Sequence, residues 1–292
     1  MPLHRFDFET AFSRNIGWLT RQEQQDLRQR RVAIAGLGGV GGSHLMTLTR
    51  LGLGAFSISD FDTFGLVNFN RQAGASLRSI DRPKIEVVSE MARDVNPELE
   101  IRAFPEGIKA ANVDAFLEDV DVYVDGLDYF AVEARRLVFA ACARKSIPAV
   151  TAAPLGMGAA VLVFVPGGMG FEDYFQLEGR SEDEQLIRFL LGLSPAMLQR
   201  SYLVAPEAVD FDQHLGPSTP MACELCAGIA ATQVLKLLTG RGRVIAAPRA
   251  LHFDAYRNKL SVTWRPGGNR NPLQRIGLAI ARHQLKRMRE TS

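Results

Sequence analysis

Gly36-x-Gly38-Gly39-x-Gly41 stands between a short apolar run, Arg31 to Ala35, and an apolar stretch, Ser43 to Leu51. Glycines at this spacing permit a tight turn and let phosphate oxygens approach backbone N–H groups at a helix N-terminus. Asp60 lies 24 residues after Gly36, at the end of a second apolar run. A carboxylate there can accept hydrogen bonds from a ribose diol. Strand, glycine loop, helix and acid together predict a nucleotide site without choosing among ATP, NAD and FAD. Asp62, Asn68, Arg71, Lys84 and Asp128 then follow in order. Taken singly, Arg71 and Lys84 read as solvated surface charges. Taken together, two cations in this order after the glycine loop would suit an anionic ligand held there.

The surrounding elements are ordered to position these groups. Thr20-Arg-Gln-Glu23 is a capping box that opens a helix over about residues 21–30, inside an N-terminal helical arm spanning 1–30. Strands are predicted at Arg31–Ala35, Ala55–Asp60, Glu98–Phe104, Val120–Val124 and Pro148–Ala152, with helices at Ser43–Leu51, Lys84–Val95 and Ala131–Lys145 between them. This alternation predicts an α/β fold with a doubly wound, Rossmann-like, mainly parallel sheet. Ala159–Val165 reads as a strand of an antiparallel continuation. The stretch 171–220 reads as irregular, with a helix capped by Ser181-Glu-Asp-Glu184 and reaching about Gly192. A long apolar helix, Met221–Leu238, ends at Gly240, and a hairpin pairs Ala250–Tyr256 with Lys259–Trp264. The main domain thus covers 31–265, and a basic helical tail, read as a solvated face, occupies 266–292.

Composition narrows the function classes. With 292 residues, 47% hydrophobic and 23% charged, the chain can bury a core without staples. Thirty-four Lys and Arg against 32 Asp and Glu leave +2, so no general basic field recruits nucleic acid. DNA is not expected as a partner, and tRNA is not favoured. Ser146 to Phe171 carries no charge, but Pro148, Pro154, Pro166 and five glycines make it two buried strands around a turn, not a membrane span. The scattered charges of the first nine residues argue against a signal peptide, so a cytoplasmic protein is expected. Cys142, Cys223 and Cys226 are too few for a disulfide framework, and packing is the expected role, with a redox role left open for the Cys223-x-x-Cys226 pair.

Asp60-Phe-Asp62 with Asn68-Phe-Asn70-Arg71-Gln72, Arg82-Pro83-Lys84 and Asp125-Gly-Leu-Asp128 resembles the ThiF/MoeB/HesA family of ubiquitin-activating-enzyme-like adenylating enzymes. The resemblance extends to Phe12-Ser13-Arg14-Asn15 and to the Ala250–Trp264 hairpin, covering about residues 10–265. It implies an ATP-dependent adenylyltransferase that activates a carboxylate or similar oxyanion as an acyl-adenylate. Gly36, Gly38, Gly39, Gly41, Asp60, Asp62, Asn68, Arg71, Lys84 and Asp128 would bind the nucleotide. By the same resemblance Arg71 and Lys84 contact phosphates, Asp60 the ribose, and Asp128 a Mg²⁺ ion. Arg14 would reach the active site of a partner protomer, which implies a homodimer with Arg14, Arg71, Lys84 and Asp128 as the catalytic set.

Two departures from the family stand out. Residues 143–222 contain no cysteine to carry a thioester, and Cys223-Glu-Leu-Cys226 has no second pair with which to hold zinc. Activation without a protein thioester, and without a zinc site, is therefore expected. The activated group is a carrier-protein tail, a peptide C-terminus or a small molecule. Residues 171–220 are where selectivity for it would lie, with Phe171-Glu-Asp-Tyr-Phe175 suited to a lid or docking surface. An NAD- or FAD-dependent oxidoreductase would explain the glycines and Asp60 but leave Asn68, Arg71, Lys84 and Asp128 without work. A non-catalytic nucleotide-binding subunit of an activating complex is the third reading.

Overall fold

The structure is a computed structural model that describes residues 5–210 and 213–291. Met1 to His4, part of the stretch argued against a leader, lie outside the described residues, as do Phe211, Asp212 and Ser292. One eight-stranded sheet organises the chain, in the order β3-β2-β1-β4-β5-β6-β7-β8. Strands β1 (Arg31–Ala35), β2 (Ala55–Ser59), β3 (Glu100–Phe104), β4 (Val122–Asp125) and β5 (Ala149–Leu155) pair in parallel. Strands β6 (Gly158–Phe164), β7 (Arg249–Asp254) and β8 (Lys259–Trp264) continue the sheet antiparallel. The doubly wound α/β architecture and its antiparallel continuation are thus as expected.

The helices are α1 (Phe8–Ala11), α2 (Arg21–Arg28), α3 (Gly39–Arg50), α4 (Lys84–Val95), α5 (Val113–Phe116), α6 (Val132–Arg144), α7 (Phe171–Phe175), α8 (Glu182–Leu193), α9 (Pro220–Thr239) and α10 (Pro272–Thr291). Alternation along β1 sends Val32 and Ile34 to one face and Ala33 and Ala35 to the other. Helices α3, α4 and α9 cover the first face; α5, α6, α7 and α8 cover the second. Helix α9 is long and apolar enough to cross a membrane by length and composition, but it packs on β5, β6 and α3.

Several local expectations need correction. The helix placed at Ser43 begins at Gly39, because the glycine loop is itself the first helical turn. Ser181 occupies the N-cap of α8 but its side chain makes no capping hydrogen bond; Glu184 is instead held by Arg188 and Arg282. Phe171-Glu-Asp-Tyr-Phe175 is not a lid. Its aromatic rings are buried against Phe139, Phe164 and Phe189, and only its acids face outward, where Glu172 meets Arg136. The basic tail is more than a solvated face: Leu278 of α10 is buried against Ile187 and Leu191 of α8, and Arg282 pairs with Glu184.

One backbone contact seats the glycine loop. Gly36 has φ +82°, and a Cβ there would stand 2.3 Å from the Gly126 carbonyl oxygen. A Cβ on Gly41 would stand 1.8 Å from the Gly36 carbonyl oxygen, and one on Gly126 would stand 2.9 Å from the Gly41 Cα. Three backbones therefore touch where β1 turns into α3 beside the end of β4. Gly41→Ala is expected to lower stability by about 1–3 kcal/mol through overpacking. Gly65→Ala, at φ −132° with nothing within 4 Å of its Cβ position, should leave the urea midpoint unchanged. Equal midpoints for both variants would contradict this account of the loop.

Candidate nucleotide site

The loop sits at the carboxyl edge of the parallel strands, where ligands of such sheets bind. Gly38 is the N-cap of α3 and no side chain caps it, so the helix presents its positive end outward. Asp60 is buried at the end of β2 and holds the glycine loop. Its Oδ2 accepts from Leu37 N at 2.6 Å and its Oδ1 from Asp62 N at 2.8 Å. The acid thereby clasps the loop to its own turn, and each oxygen retains lone-pair capacity. Burial raises its pKa, against the two backbone donors that lower it.

The segment after β2 folds back on this turn. Asn68 is buried, and its Oδ1 accepts from Gly65 N at 2.9 Å, closing a short 3₁₀ turn at Leu66–Asn68. Its carbonyl accepts from Arg71 N and Gln72 N, which fixes where those two side chains start. Arg71 lies beside the loop, with Nε 3.6 Å from the Cβ position of Gly39. Its guanidinium donates to Val67 O and Asn70 Oδ1 and, among the described residues, pairs with no carboxylate. Lys84 is the first residue of α4, so its charge adds to the positive end of that helix. It is buried, with Nζ 2.9 Å from the half-exposed carboxylate of Asp62.

Asp128 follows β4 in a turn whose Gly126 packs against the loop. It is exposed; Oδ1 accepts from Phe130 N at 3.0 Å, which leaves Oδ2 open. Among the described residues no group of three or more His, Cys, Asp and Glu gathers as a metal cluster. A cation here would lean on Asp128, water and phosphate oxygens, a donor set that suits Mg²⁺.

Arg14 stands apart. It is exposed in the 3₁₀ turn Ser13–Asn15, and neighbouring Asn15 donates to Leu51 O at 3.1 Å, just past the C-terminal end of α3. The glycine loop is at the other end of that helix, roughly 18 Å away for twelve residues. Within one protomer Arg14 is not part of the site.

The cysteines are buried as expected, but Cys223 borders the loop: its Sγ lies 3.2 Å from the Cβ position of Gly39. Burial raises the pKa of all three thiols. Three contributors escaped the sequence reading. Glu224 of α9 accepts from Ser43 Oγ at 2.8 Å, bracing the first turn of α3. Arg135 was readable as the basic residue in the otherwise apolar stripe Val132, Val138, Phe139, Cys142. It donates to Asp125 Oδ2 at 2.7 Å and holds the Asp128 turn by its carbonyls. His44, in the first turns of α3, is fully buried with neither ring nitrogen hydrogen-bonded in the described structure.

A parallel sheet, an uncapped glycine-started helix at its carboxyl edge and a strand-end acid define a doubly wound fold whose open sheet edge suits an anionic ligand. More narrowly, the chain belongs to the ThiF family, which it matches over residues 12–275. It is 31% identical over 143 residues to the sulfur carrier protein ThiS adenylyltransferase of Escherichia coli, covering 49% of this chain and 56% of that protein. The molybdopterin-synthase adenylyltransferase of E. coli is 31% identical over 141 residues, 48% of this chain and 56% of that protein. The tRNA threonylcarbamoyladenosine dehydratase of Bacillus subtilis is 29% identical over 150 residues, 51% of this chain and 57% of that protein. These matches span about half the length of the curated relatives. The fold is that of E. coli MccB solved with ATP, at TM-score 0.61 and 19% identity over 82% of this chain and 65% of that one. PaaA gives TM-score 0.67 at 16% identity, covering 90% of this chain and 75% of that one.

His44 supplies a pH test of how tightly α3 seats. Burial depresses its pKa from 6.5 to about 4. The folded protein thus takes up the proton less readily than the unfolded chain. The stability tied to neutral His44 is complete above pH 6.5 and is lost as pH falls toward 4, up to about 3 kcal/mol. Asp60, with its pKa raised, shifts stability in the opposite sense at the acid end, so the histidine is isolated by comparison with His44→Leu. Denaturant midpoints between pH 7 and 4 should fall less steeply in that variant; parallel curves would refute the assignment.

Proposed function

We propose that the protein is an ATP-dependent adenylyltransferase that activates a carboxylate as an acyl-adenylate without a protein thioester. The observation that carries this reading is Arg71, a guanidinium beside the uncapped start of α3 that meets no carboxylate among the described residues. Two cations beside the loop, Arg71 and Lys84 at the head of α4, suit the roughly four negative charges of a triphosphate better than the two of a redox dinucleotide's diphosphate. The matches to the E. coli ThiS and molybdopterin-synthase adenylyltransferases support the same chemistry.

In this reading a substrate carboxylate oxygen attacks the α-phosphorus, the bond to the bridging oxygen breaks, and pyrophosphate leaves with its electrons. The protein's part is positioning and charge. The glycine loop offers backbone N–H groups and the α3 dipole, and Arg71 neutralises phosphate oxygens. Lys84 exchanges Asp62 for a phosphate oxygen. Asp60 retains lone pairs for the ribose hydroxyls while holding the loop. Bound Mg²⁺ would supply charge neutralisation beside Asp128. Raised thiol pKa values disfavour Cys142, Cys223 and Cys226 as nucleophiles, and the final acceptor would then be an amine or thiol that meets the adenylate directly. The activated carboxylate belongs to a carrier-protein or peptide C-terminus or to a small molecule, selected by residues 171–220. Arg14, exposed and without a hydrogen-bond or ion-pair partner among the described residues, would serve the site of a second copy in a symmetric dimer.

Isothermal titration with Mg·ATP and with NAD tests the reading: ATP should bind and NAD should not, and the reverse would end it. Arg71→Ala and Lys84→Ala should each weaken Mg·ATP binding by about 2–4 kcal/mol if they clamp phosphates. For Arg14, sedimentation should give a dimer, and Arg14→Ala should weaken Mg·ATP binding despite its distance from the loop of its own chain. Wild-type affinity of that variant in a demonstrated dimer would place Arg14 outside the site.

A further inference from the structure

The turn that carries Asp128 is fastened to two different parts of the chain. On one side, Gly126 meets the glycine loop. On the other, its neighbours reach across to the segment 171–220. Tyr129 donates its hydroxyl to the carbonyl of Leu186, in the middle of α8, at 2.6 Å. Phe130 stacks on His214 at 4.6 Å between ring centroids, with 21° between planes. Arg135 completes the set. Nη2 donates to the carbonyls of Leu127 and Asp128, Nη1 donates to Tyr129 O, and Nε donates to Asp125 Oδ2. Thr151 of β5 gives the same carboxylate oxygen a second donor at 2.9 Å. The guanidinium lies 4.4 Å from the ring centroid of Phe189 on α8.

This guanidinium therefore does two things at once. Its edges hold three consecutive carbonyls of the Asp128 turn, and its face is covered by an aromatic ring from α8. A buried ion pair of this kind loses far more when one partner is removed than the pair contributes against apolar replacements. The Asp128 carbonyl also accepts from Ala131 N at 3.0 Å, whereas for the carbonyls of Leu127 and Tyr129 the guanidinium is the donor. Displacing α8 would uncover the guanidinium face and withdraw the acceptor for Tyr129 together.

We propose that Arg135 is a positioning residue for Asp128, and that through Arg135 and Tyr129 the docking of helix α8 sets where Asp128 stands. The inference rests on Asp128 serving the nucleotide, as proposed above. Its consequence is that occupancy of the selective segment is felt at the metal-binding carboxylate, not only at the acyl group. Helix α8 is itself latched from behind by α10, through Glu184 with Arg282. The coupling therefore has a second handle outside most of the region matched to the family.

Two mild substitutions in the full chain test it. Tyr129→Phe removes one hydroxyl, and Phe189→Leu removes the ring beneath the guanidinium while keeping bulk. Amide exchange at residues 126–131 should quicken roughly fivefold in each variant, the worth of one hydrogen bond for Tyr129→Phe and of one cation–π contact for Phe189→Leu, while residues 36–45 stay unchanged. Unchanged exchange at 126–131 in both variants overturns the proposal. In titrations with ATP, both variants should lose part of the affinity gained on adding Mg²⁺ and keep the affinity measured without it. In an Asp128→Asn background they should have no further effect. Equal losses with and without Mg²⁺, or losses that persist beside Asp128→Asn, would mean general damage and overturn the coupling. If the wild-type chain bound no ATP, the functional reading would fail, and the exchange measurement would still decide whether α8 holds the turn.

Discussion

The site depends on a place where three backbones come too close for any side chain. Gly36, Gly41 and Gly126 let the end of β1, the first turn of α3 and the turn after β4 share one small volume. Without that contact, α3 could not begin immediately after the strand, and its positive end would not lie level with the carboxyl edge of the sheet. Asp60 secures the same turn from the other side, accepting from Leu37 and Asp62. Two neighbouring strands thus hold the loop through groups with no rotamer freedom or with both oxygens engaged. A flexible loop would have to be ordered on binding; this one is already set.

Around that fixed point the cations differ in how they are held. Lys84 is buried and paired, so its charge is in place but committed to Asp62. Arg71 is restrained by Val67 and Asn70 through neutral acceptors, leaving its charge uncompensated by any described carboxylate. Asp128 is exposed, on a turn whose geometry belongs mainly to other residues. A rigid anion cradle, a paired lysine and a carboxylate whose turn leans on α8 make an apparatus with one stiff side and one adjustable side.

Much of this was legible before any coordinates. Strand β1 and helix α4 fall on the residues expected, and the Thr20–Glu23 capping box forms as its spacing requires. These are local signals: periodicity, capping chemistry and turn residues within a few positions. Fold class and family were legible because the polar motifs follow the strands in order. What escaped was set by contacts distant in sequence. Nothing near Ser181 shows that Glu184 is drawn away by Arg282, almost a hundred residues later. The aromatics of α7 look like a docking surface until β6 and α8 are placed against them. Arg135 carried a signal, a charge amid an apolar stripe, but its partners are carbonyls, which sequence does not mark.

Helix α9, which lines the glycine loop with Cys223 and braces Ser43 through Glu224, lies 181 residues downstream of that serine. During synthesis at roughly 5–20 residues per second, the loop and its helix would emerge some ten to thirty-five seconds before the helix they lean on. Through most of that interval Leu45 and Leu48, completely covered in the finished protein, have the parallel strands and α4 but not α9 to shelter them. The amino-terminal half holds the glycine loop, Asp60, Arg71, Lys84 and Asp128, yet the wall behind the loop follows more than 170 residues later. Assembly of the site is thus a late event in the life of the nascent chain, exposed to chaperone capture and to aggregation for as long as translation of the carboxyl-terminal third takes.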